Sequence, residues 1–408
     1  MKTINSPFTI VYALDISYIG SQADNAGITE NGNYDISSSL KIALGNGNYD
    51  AVVINGTGNI DNNHISFGSG AYDYIYTYNG SITGNTITFG SGREDYCLTY
   101  NGSITGNTIS FGSGGNNYVY IFSGLITSNT ISFGSGTGDF VKNIYGSITN
   151  NSIHFNDLST NITGDQVCIE RTDNSIASNY ITFGDASGDC VFGYIHANVL
   201  IINNTICFGN GGGDFVSSST GAVTNNTIRF GDGDNDQVKS IYNQIANNII
   251  SFGNGNVDYV ATNGFSINNN MIAMGNGDGD YVTNSAGSSL TSNHITMGNG
   301  NGDYITTNGL GGNNIINIGS GQNDLIDVST NDQITVGVGG SDAFYFNQNT
   351  FGTIGHVQIY NYNFAHDTLH YSSMPTATLA NSNGNVLITF QGDSQDSITL
   401  VGVHLPPV

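Results

Sequence analysis

Asn85-Thr-Ile87-Thr-Phe89-Gly90-Ser-Gly92-Arg-Glu-Asp95-Tyr96-Cys97-Leu-Thr-Tyr-Asn-Gly-Ser-Ile104-Thr-Gly106 runs directly into Asn107-Thr-Ile109-Ser-Phe111-Gly112, the same opening 22 positions later. The Asn recurs at 63, 85, 107, 129, 151, 179, 204, 226, 248, 270, 293 and 314, mostly at that step, with longer steps into 179 and 204. Two residues after each Asn stands Ile, from Ile65 to Ile316, and two further on stands Phe, replaced near the end by Met274, Met297 and Ile318. A spacing of two puts Ile and Phe on one face of a strand. Further apolar positions lie three residues before the Asn (Ile60, Ile82, Val223, Leu290) and two residues after a recurring Asp (Val52, Ile75, Val119, Ile305).

About four buried side chains on three short strands cannot hold a unit of this size by itself, so neighbouring units must stack. The expected fold is all-β: a right-handed parallel β-solenoid of the β-roll or β-helix kind, of about 13 coils of about 22 residues, with a C-terminal β cap. Coils spaced by about 4.8 Å would make a rod on the order of 60 Å long. No Pro occurs between Phe8 and Met374, as expected where each amide is needed for a ladder hydrogen bond. The expected organisation is an N-terminal cap or assembly segment at 1–40, solenoid repeats at 41–336 and a C-terminal cap at 337–408. The Asn row reads either as turn residues in a left-handed conformation or as a buried amide ladder.

Composition agrees. Gly accounts for 57 of 408 residues, Trp is absent, and 7 Lys+Arg face 31 Asp+Glu, for a formal charge of −24. Such a balance argues against nucleic acid or an anionic membrane as partner, and no apolar run is long enough to span a bilayer. The N-terminus has one basic residue and an apolar stretch cut short by Asp15, a poor signal peptide, so export is expected by another route. Cys97, Cys168, Cys190 and Cys207 have neither metal-type spacing nor a disulfide framework.

Between the Phe and the following strand runs a glycine-rich loop ending in Asp, as in Gly68-Ser-Gly70-Ala-Tyr-Asp73 and Gly298-Asn-Gly300-Asn-Gly-Asp303. The Asp recurs at Asp50, Asp73, Asp95, Asp139, Asp165, Asp189, Asp214, Asp236, Asp258, Asp280, Asp303, Asp324 and Asp342, with Asn117 replacing it once. Carboxylates stacked every ~5 Å repel by about 1 kcal/mol per pair even in water. Calcium, one ion per coil or so, suits such a column: a hard cation with flexible oxygen coordination, beside a turn that presents backbone carbonyls. The candidate ligands are these Asp residues together with Gly68, Gly70, Gly90, Gly92, Gly134, Gly136, Gly253, Gly255, Gly275, Gly277, Gly298 and Gly300. The alternative is a row of Asx turns with exposed carboxylates.

These loops resemble the nonapeptide Gly-Gly-x-Gly-x-Asp-x-U-x of the repeats-in-toxin (RTX) calcium-binding proteins, U being a large apolar residue. The match keeps loop length, first Gly, Asp and U, as in Gly298 to Ile305; it departs in having one loop per coil and the second Gly at the third position. The tail, with Gly337-Val-Gly-Gly-Ser-Asp342, Asp367-Thr-Leu369 and Ser397-Ile-Thr-Leu400, is similar to the C-terminal segment of RTX proteins exported by type I secretion. The resemblance implies Ca²⁺ as cofactor and a secreted or cell-surface bacterial protein.

A row of aromatics follows the Asp: Tyr74, Tyr96, Tyr118, Phe140, Phe215, Tyr259, Tyr281 and Tyr304. With U pointing inward these point outward, either stiffening the sheet by cross-strand stacking or forming a face for a second copy or a glycan. No catalytic residue is assigned, because Lys2, Lys41, Arg93, Lys142, Arg171, Arg229 and Lys239 fall in different coils and rows. A grafted site, if present, would lie in the irregular stretch 156–200, with Arg171, Asp173, Tyr194 and His196. The expected function is a secreted, calcium-dependent structural protein that self-associates, head to tail, into an extracellular filament, matrix or surface layer. The alternative is a glycan-binding adhesin or polysaccharide-acting solenoid, which a cluster of basic and aromatic residues in the folded 156–200 region would favour.

Overall fold

The computed structural model describes residues 17–19, 24–30, 33–37, 39–157, 164–171, 173–194, 198–285, 288–306, 310–346, 353–371 and 374–405. No helix occurs among them, and the chain is an all-β parallel solenoid, as the repeat predicts. It divides into two compact units, Met1–Gly211 and Gly212–Val408.

In each unit a coil contributes one strand to each of three parallel sheets. In the first unit, strands carrying the Ile-x-Phe pattern, such as Thr86–Thr88 and Thr108–Ser110, stack in one sheet. The four-residue strands after the Asp, Tyr74–Thr77, Tyr96–Thr99, Tyr118–Ile121 and Phe140–Asn143, form the second. Two-residue strands such as Ile82–Thr83 and Ile104–Thr105 form the third. Register is strict: Ile87 pairs with Ile109, Cys97 with Val119 and Ile82 with Ile104. The second unit repeats the scheme, with Ile250 beside Ile272, Val260 beside Val282 and Ile245 beside Ile267.

Every coil therefore lays each residue on its counterpart in the next. Phe67, Phe89, Phe111, Phe133, Phe155, Phe183 and Phe208 form a buried pile with ring centroids 4.7 to 4.9 Å apart and nearly parallel planes. Burying such a side chain is worth roughly 1.5–3 kcal/mol, and the pile makes each coil's share depend on both neighbours.

The Asn row resolves as a ladder. Asn85 N–H donates to Oδ1 of Asn107 (2.9 Å), while its side-chain amide donates to Ile60 O (2.7 Å) and to Asn107 Oδ1 (3.1 Å). The same pattern runs from Asn63 to Asn204 in the first unit. In the second it ends on Asp332, whose carboxylate accepts from Asn314 N and from Ser329 N. The left-handed conformation sits one residue earlier, at Asn62, Gly84, Gly106, Ser128 and Asn150 (φ 57 to 67°).

Parallel pairing extends past both boundaries read from sequence. Ser17–Ile19 and Gly27–Glu30, inside the segment taken as an N-terminal cap, already pair with Lys41–Ala43 and Ala51–Ile54. Beyond 336, Ala343–Phe346 and Thr368–His370 continue the second sheet. The C-terminal β cap is an antiparallel set: Ala377–Ser382 pairs with Asn385–Phe390, which pairs with Asp393–Val401. That last strand also lies parallel to His356–Tyr360 and covers the final coil edge, where an open strand would otherwise invite pairing with another chain.

A second left-handed corner precedes the Asp of most loops, at Tyr49, Tyr72, Glu94, Asn116, Gly138, Gly279 and Gly302 among others. Val257 occupies it with φ 63°, a conformation unfavourable for a β-branched residue. Val257→Gly, which installs the residue that Gly279 supplies one coil later, is expected to stabilise the fold by about 1 kcal/mol. Thermal unfolding checks this: an unchanged or lower midpoint would show that the corner carries no strain.

Candidate functional site

Two features stand out along the second sheet: the aspartate column at its entry and the aromatic rows on its outer surface.

The column points inward. Asp50, Asp73, Asp95, Asp139, Asp236, Asp258, Asp280, Asp303, Asp324 and Asp342 are all 0–1% exposed, which removes the reading of exposed Asx turns. One oxygen of each is used: Asp50 N donates to Asp73 Oδ1 (2.9 Å), Asp73 N to Asp95 Oδ1 (2.9 Å) and Asp139 N to Asp165 Oδ1 (2.8 Å). In the second unit Asp236 N donates to Asp258, Asp258 N to Asp280 and Asp280 N to Asp303. The series closes on Asp367, which accepts from Asp342 N at 3.3 Å and was not read as a member from the sequence.

The other oxygen, Oδ2, has no hydrogen-bond partner in any of those ten. Asn117 shows what the position faces. Its Oδ1 accepts from Asp95 N as an Asp would (3.0 Å), and its side-chain N–H donates to Gly114 O, three residues back. By the same register each Asp Oδ2 is an acceptor turned toward an acceptor, and the pair needs either a proton or a cation between them. Burial, opposed by the amide hydrogen bond and assisted by neighbouring carboxylates, pushes Asp73, Asp280 and Asp303 up to about 7. Burial likewise raises Asp236 to about 8.

The glycines named with the column allow the coils to close up. A Cβ on Gly92 would lie 1.6 Å from Gly70 O, and one on Gly298 would lie 1.2 Å from Gly275 O. Gly68, Gly90, Gly134, Gly136, Gly253, Gly255, Gly277 and Gly300 stack in the same way, each against the carbonyl one coil back. Their carbonyls thus point along the stack, and some accept an amide there, as Gly45 O does from Gly68 N and Gly231 O from Gly253 N (2.9 Å each).

On the outer surface lies the aromatic row. Ile75, Cys97, Val119 and Val141 are fully buried while Tyr74, Tyr96, Tyr118 and Phe140 are half-buried. Their rings stack at 4.8 to 5.0 Å. Tyr259, Tyr281 and Tyr304 repeat this at 4.7 and 4.6 Å in the second unit, where Phe215 is also half-buried. Tyr76 and Tyr120 lie two positions on, and Tyr78, Tyr100 and Phe122 form a further stacked row (5.2 and 4.4 Å).

The cations are less dispersed than the sequence suggests. Lys142 Nζ lies 2.7 Å from Glu170 Oε2 and 5.3 Å from the centroid of the Tyr194 ring, and Arg171 Nε lies 4.0 Å from Glu170 Oε1. Phe192 packs against Tyr194 at 4.7 Å. A basic, acidic and aromatic cluster therefore adjoins the aromatic rows in the irregular stretch, contrary to the expectation that no constellation forms. Glu170, one of only three glutamates in the chain, was the missed signal. Asp173 is exposed, and His196 lies outside the described residues. His154 bonds Ser152 and Thr182 (2.8 Å each) within the first sheet. Cys97, Cys168 and Cys190 are buried and Cys207 is half-buried, and no described helix is long and apolar enough to cross a membrane.

No family model and no curated protein matches the chain. Among solved structures it is similar to the tailspike protein of E. coli bacteriophage HK620, in a single and a double mutant each in complex with a pentasaccharide. Identity is 12% and 13%, coverage is 90% of this chain and 76% of each tailspike chain, and the TM-score is 0.36 for both.

The raised carboxyls set a pH dependence. The folded state keeps protons up to about pH 7, whereas unfolded Asp loses them near 3.8; folded binds more, so stability falls as pH rises. With divalent cations chelated, the unfolding midpoint is expected to be highest below pH 4–5 and to drop steadily from pH 5 to 8. A flat or rising midpoint over that window would contradict the buried protonated column.

Proposed function

We propose that the chain is a glycan-binding β-solenoid whose binding face is the outer surface of the second sheet in the first unit. The observation that carries this reading is the stacked row Tyr74, Tyr96, Tyr118 and Phe140, adjoined by Tyr76, Tyr120 and the Lys142–Glu170–Tyr194 cluster. The rings stack on one another with nearly parallel planes, so they offer a firm ladder of apolar and hydroxyl-bearing ring edges at little further entropic cost. The C–H faces of sugar rings can lie along such a ladder, and the Lys142 and Glu170 head groups supply polar partners for hydroxyls. The formal charge of −24 repels uronate-rich polymers, so the favoured ligand class is a neutral glycan. The reading is binding without turnover, since glycoside hydrolysis uses a free pair of carboxyl groups and Glu170 is engaged by Lys142.

The full chain is expected to co-sediment with insoluble neutral polysaccharides. Tyr96→Ala combined with Tyr118→Ala should weaken binding at least about tenfold, as the loss of two apolar contacts of ~1 kcal/mol or more each implies, while Tyr281→Ala leaves it intact. Binding that is indifferent to the double substitution in a chain with native circular dichroism would refute the face.

A second reading rests on the orphaned Oδ2 row: a secreted, calcium-dependent structural protein that self-associates in an extracellular layer. The acceptor-to-acceptor arrangement fits a hard cation, which Asp73, Asp95, Asp258, Asp280 and Asp303 would hold with glycine carbonyls, and Ca²⁺ would supply the counter-charge that lets them ionise. On this reading CaCl₂ raises the unfolding midpoint at pH 8 by several degrees and MgCl₂ does much less. A midpoint at pH 8 that ignores both chelator and calcium would leave the column to protons alone.

A further inference from the structure

We propose that Asp157, Asp165 and Asp189 form a discrete Ca²⁺ site in the one coil whose loop departs from the repeat. Each offers a carboxylate oxygen, these oxygens all lie within 4.8 Å of one another, and all three residues are buried. Asp157 is 0% exposed and neither of its carboxylate oxygens has a hydrogen-bond partner. A fully buried carboxyl group with no well-formed hydrogen bond on either oxygen, and only the amides of Gly184 and Ala186 beside it, is costly to ionise, and here it is turned into two further carboxylates.

The position is built by the sequence. Phe155 and Asp165 are ten positions apart where Phe133 and Asp139 are six apart, and Asn156-Asp157 stands where other loops open with Gly-Ser. The insertion shifts the stack by one residue. Asp185 N donates to Asp157 O (3.1 Å), and a Cβ on Gly184 would meet Asp157 O at 2.0 Å, as one on Gly90 would meet Gly68 O at 1.7 Å. Asp157 thus occupies the place that glycine takes in the regular coils, and brings a carboxylate into a column that elsewhere has no side chain there. Asp139, one coil back, lies within Coulombic reach of it. Among the described residues neither Asp157 nor Asp165 forms an ion pair with Lys or Arg; Lys142 and Arg171 are both committed to Glu170.

The donor set is all hard oxygen, which selects against zinc or copper. A carboxylate cluster beside a backbone turn suits Ca²⁺, which takes six to eight oxygens in flexible geometry, better than Mg²⁺, which gives up its waters reluctantly. The site shares Asp165 and Asp189 with the aspartate column but stands whether or not the regular coils take up calcium.

The test uses the full chain, stripped with chelator and titrated with CaCl₂ by calorimetry at pH 7.5, with bound calcium counted by elemental analysis after gel filtration. Asp157→Asn and Asp157→Gly, the latter restoring the residue of the regular coils, are expected to lose one tightly bound equivalent, while Asp258→Asn in the regular column keeps it. If the regular column holds calcium too, the total in the wild type is larger and the difference of one remains; if it holds none, the wild type binds one ion and the Asp157 variants bind none. Equal calcium content in wild type and folded Asp157→Asn overturns the proposal, as does a wild type that binds none, the result expected if Asp157 and Asp165 simply share a proton. Independently of any variant, crystals of the wild type grown with CaCl₂ should show an anomalous peak between the three carboxylates, and an empty cluster at saturating calcium overturns the site.

Discussion

Parallel stacking in register sets the rule that the rest of this molecule obeys: in the Ile, Phe, Asn and Asp columns most side chains have their own kind as neighbour, one coil above and one below. For apolar side chains the rule is permissive, and the phenylalanine pile satisfies it at 4.7 to 4.9 Å. For buried polar groups it is severe, because a column must satisfy itself. Asn does so, having both a donor and an acceptor; the ladder from Asn63 to Asn204 uses Oδ1 toward one neighbour's amide and the side-chain N–H toward a backbone carbonyl. Asp in the equivalent arrangement has no donor. The two ladders share their Oδ1 geometry, but the aspartate column lacks the side-chain N–H donors of the Asn ladder, and a proton or a cation is what it must import.

Much of this was legible in the sequence because the rule writes itself as period. The positions of the Asn, Ile, Phe, Asp and Tyr columns, the parallel sheets and the inward or outward sense of each row follow from spacing alone. The left-handed corners were less legible, since Tyr49, Tyr72, Glu94 and Val257 occupy them alongside the expected Gly and Asn; stacking of the flanking strands enforces the corner whatever residue stands there. The ends of the ladders escape the sequence pattern because Asp332 stands in a row of Asn and Asp367 follows Phe364-Ala-His instead of a glycine-rich loop. The irregular stretch was legible only as irregular. Its insertions break register, so neither the meeting of Lys142, Glu170 and Tyr194 nor the turning inward of Asp157 can be counted out from a period.

The same insertions explain why chemistry gathers there. A perfectly repeating coil surface offers identical groups in rows, which suits stacking and ladders but cannot assemble unlike residues around a point. Where a coil is lengthened, residues of different rows come together: a cation, a carboxylate and a phenol on the outside, and three carboxylates on the inside.

The inner and outer features are also mechanically joined. Each aromatic of the outer row follows its Asp in sequence and hangs on the preceding coil through that residue's carbonyl, Tyr96 N on Asp73 O (2.9 Å), Tyr118 N on Asp95 O and Phe140 N on Asn117 O (3.0 Å each). The spacing of the rings is therefore the spacing of the column. A column held by protons or cations fixes the rings before any ligand arrives, so that a glycan meeting the face need not order it; a column left fully ionised and repelling would loosen the strands that carry the rings. In a chain with so thin a core per coil, the preorganisation of the outer face depends on how the inner carboxylates are neutralised.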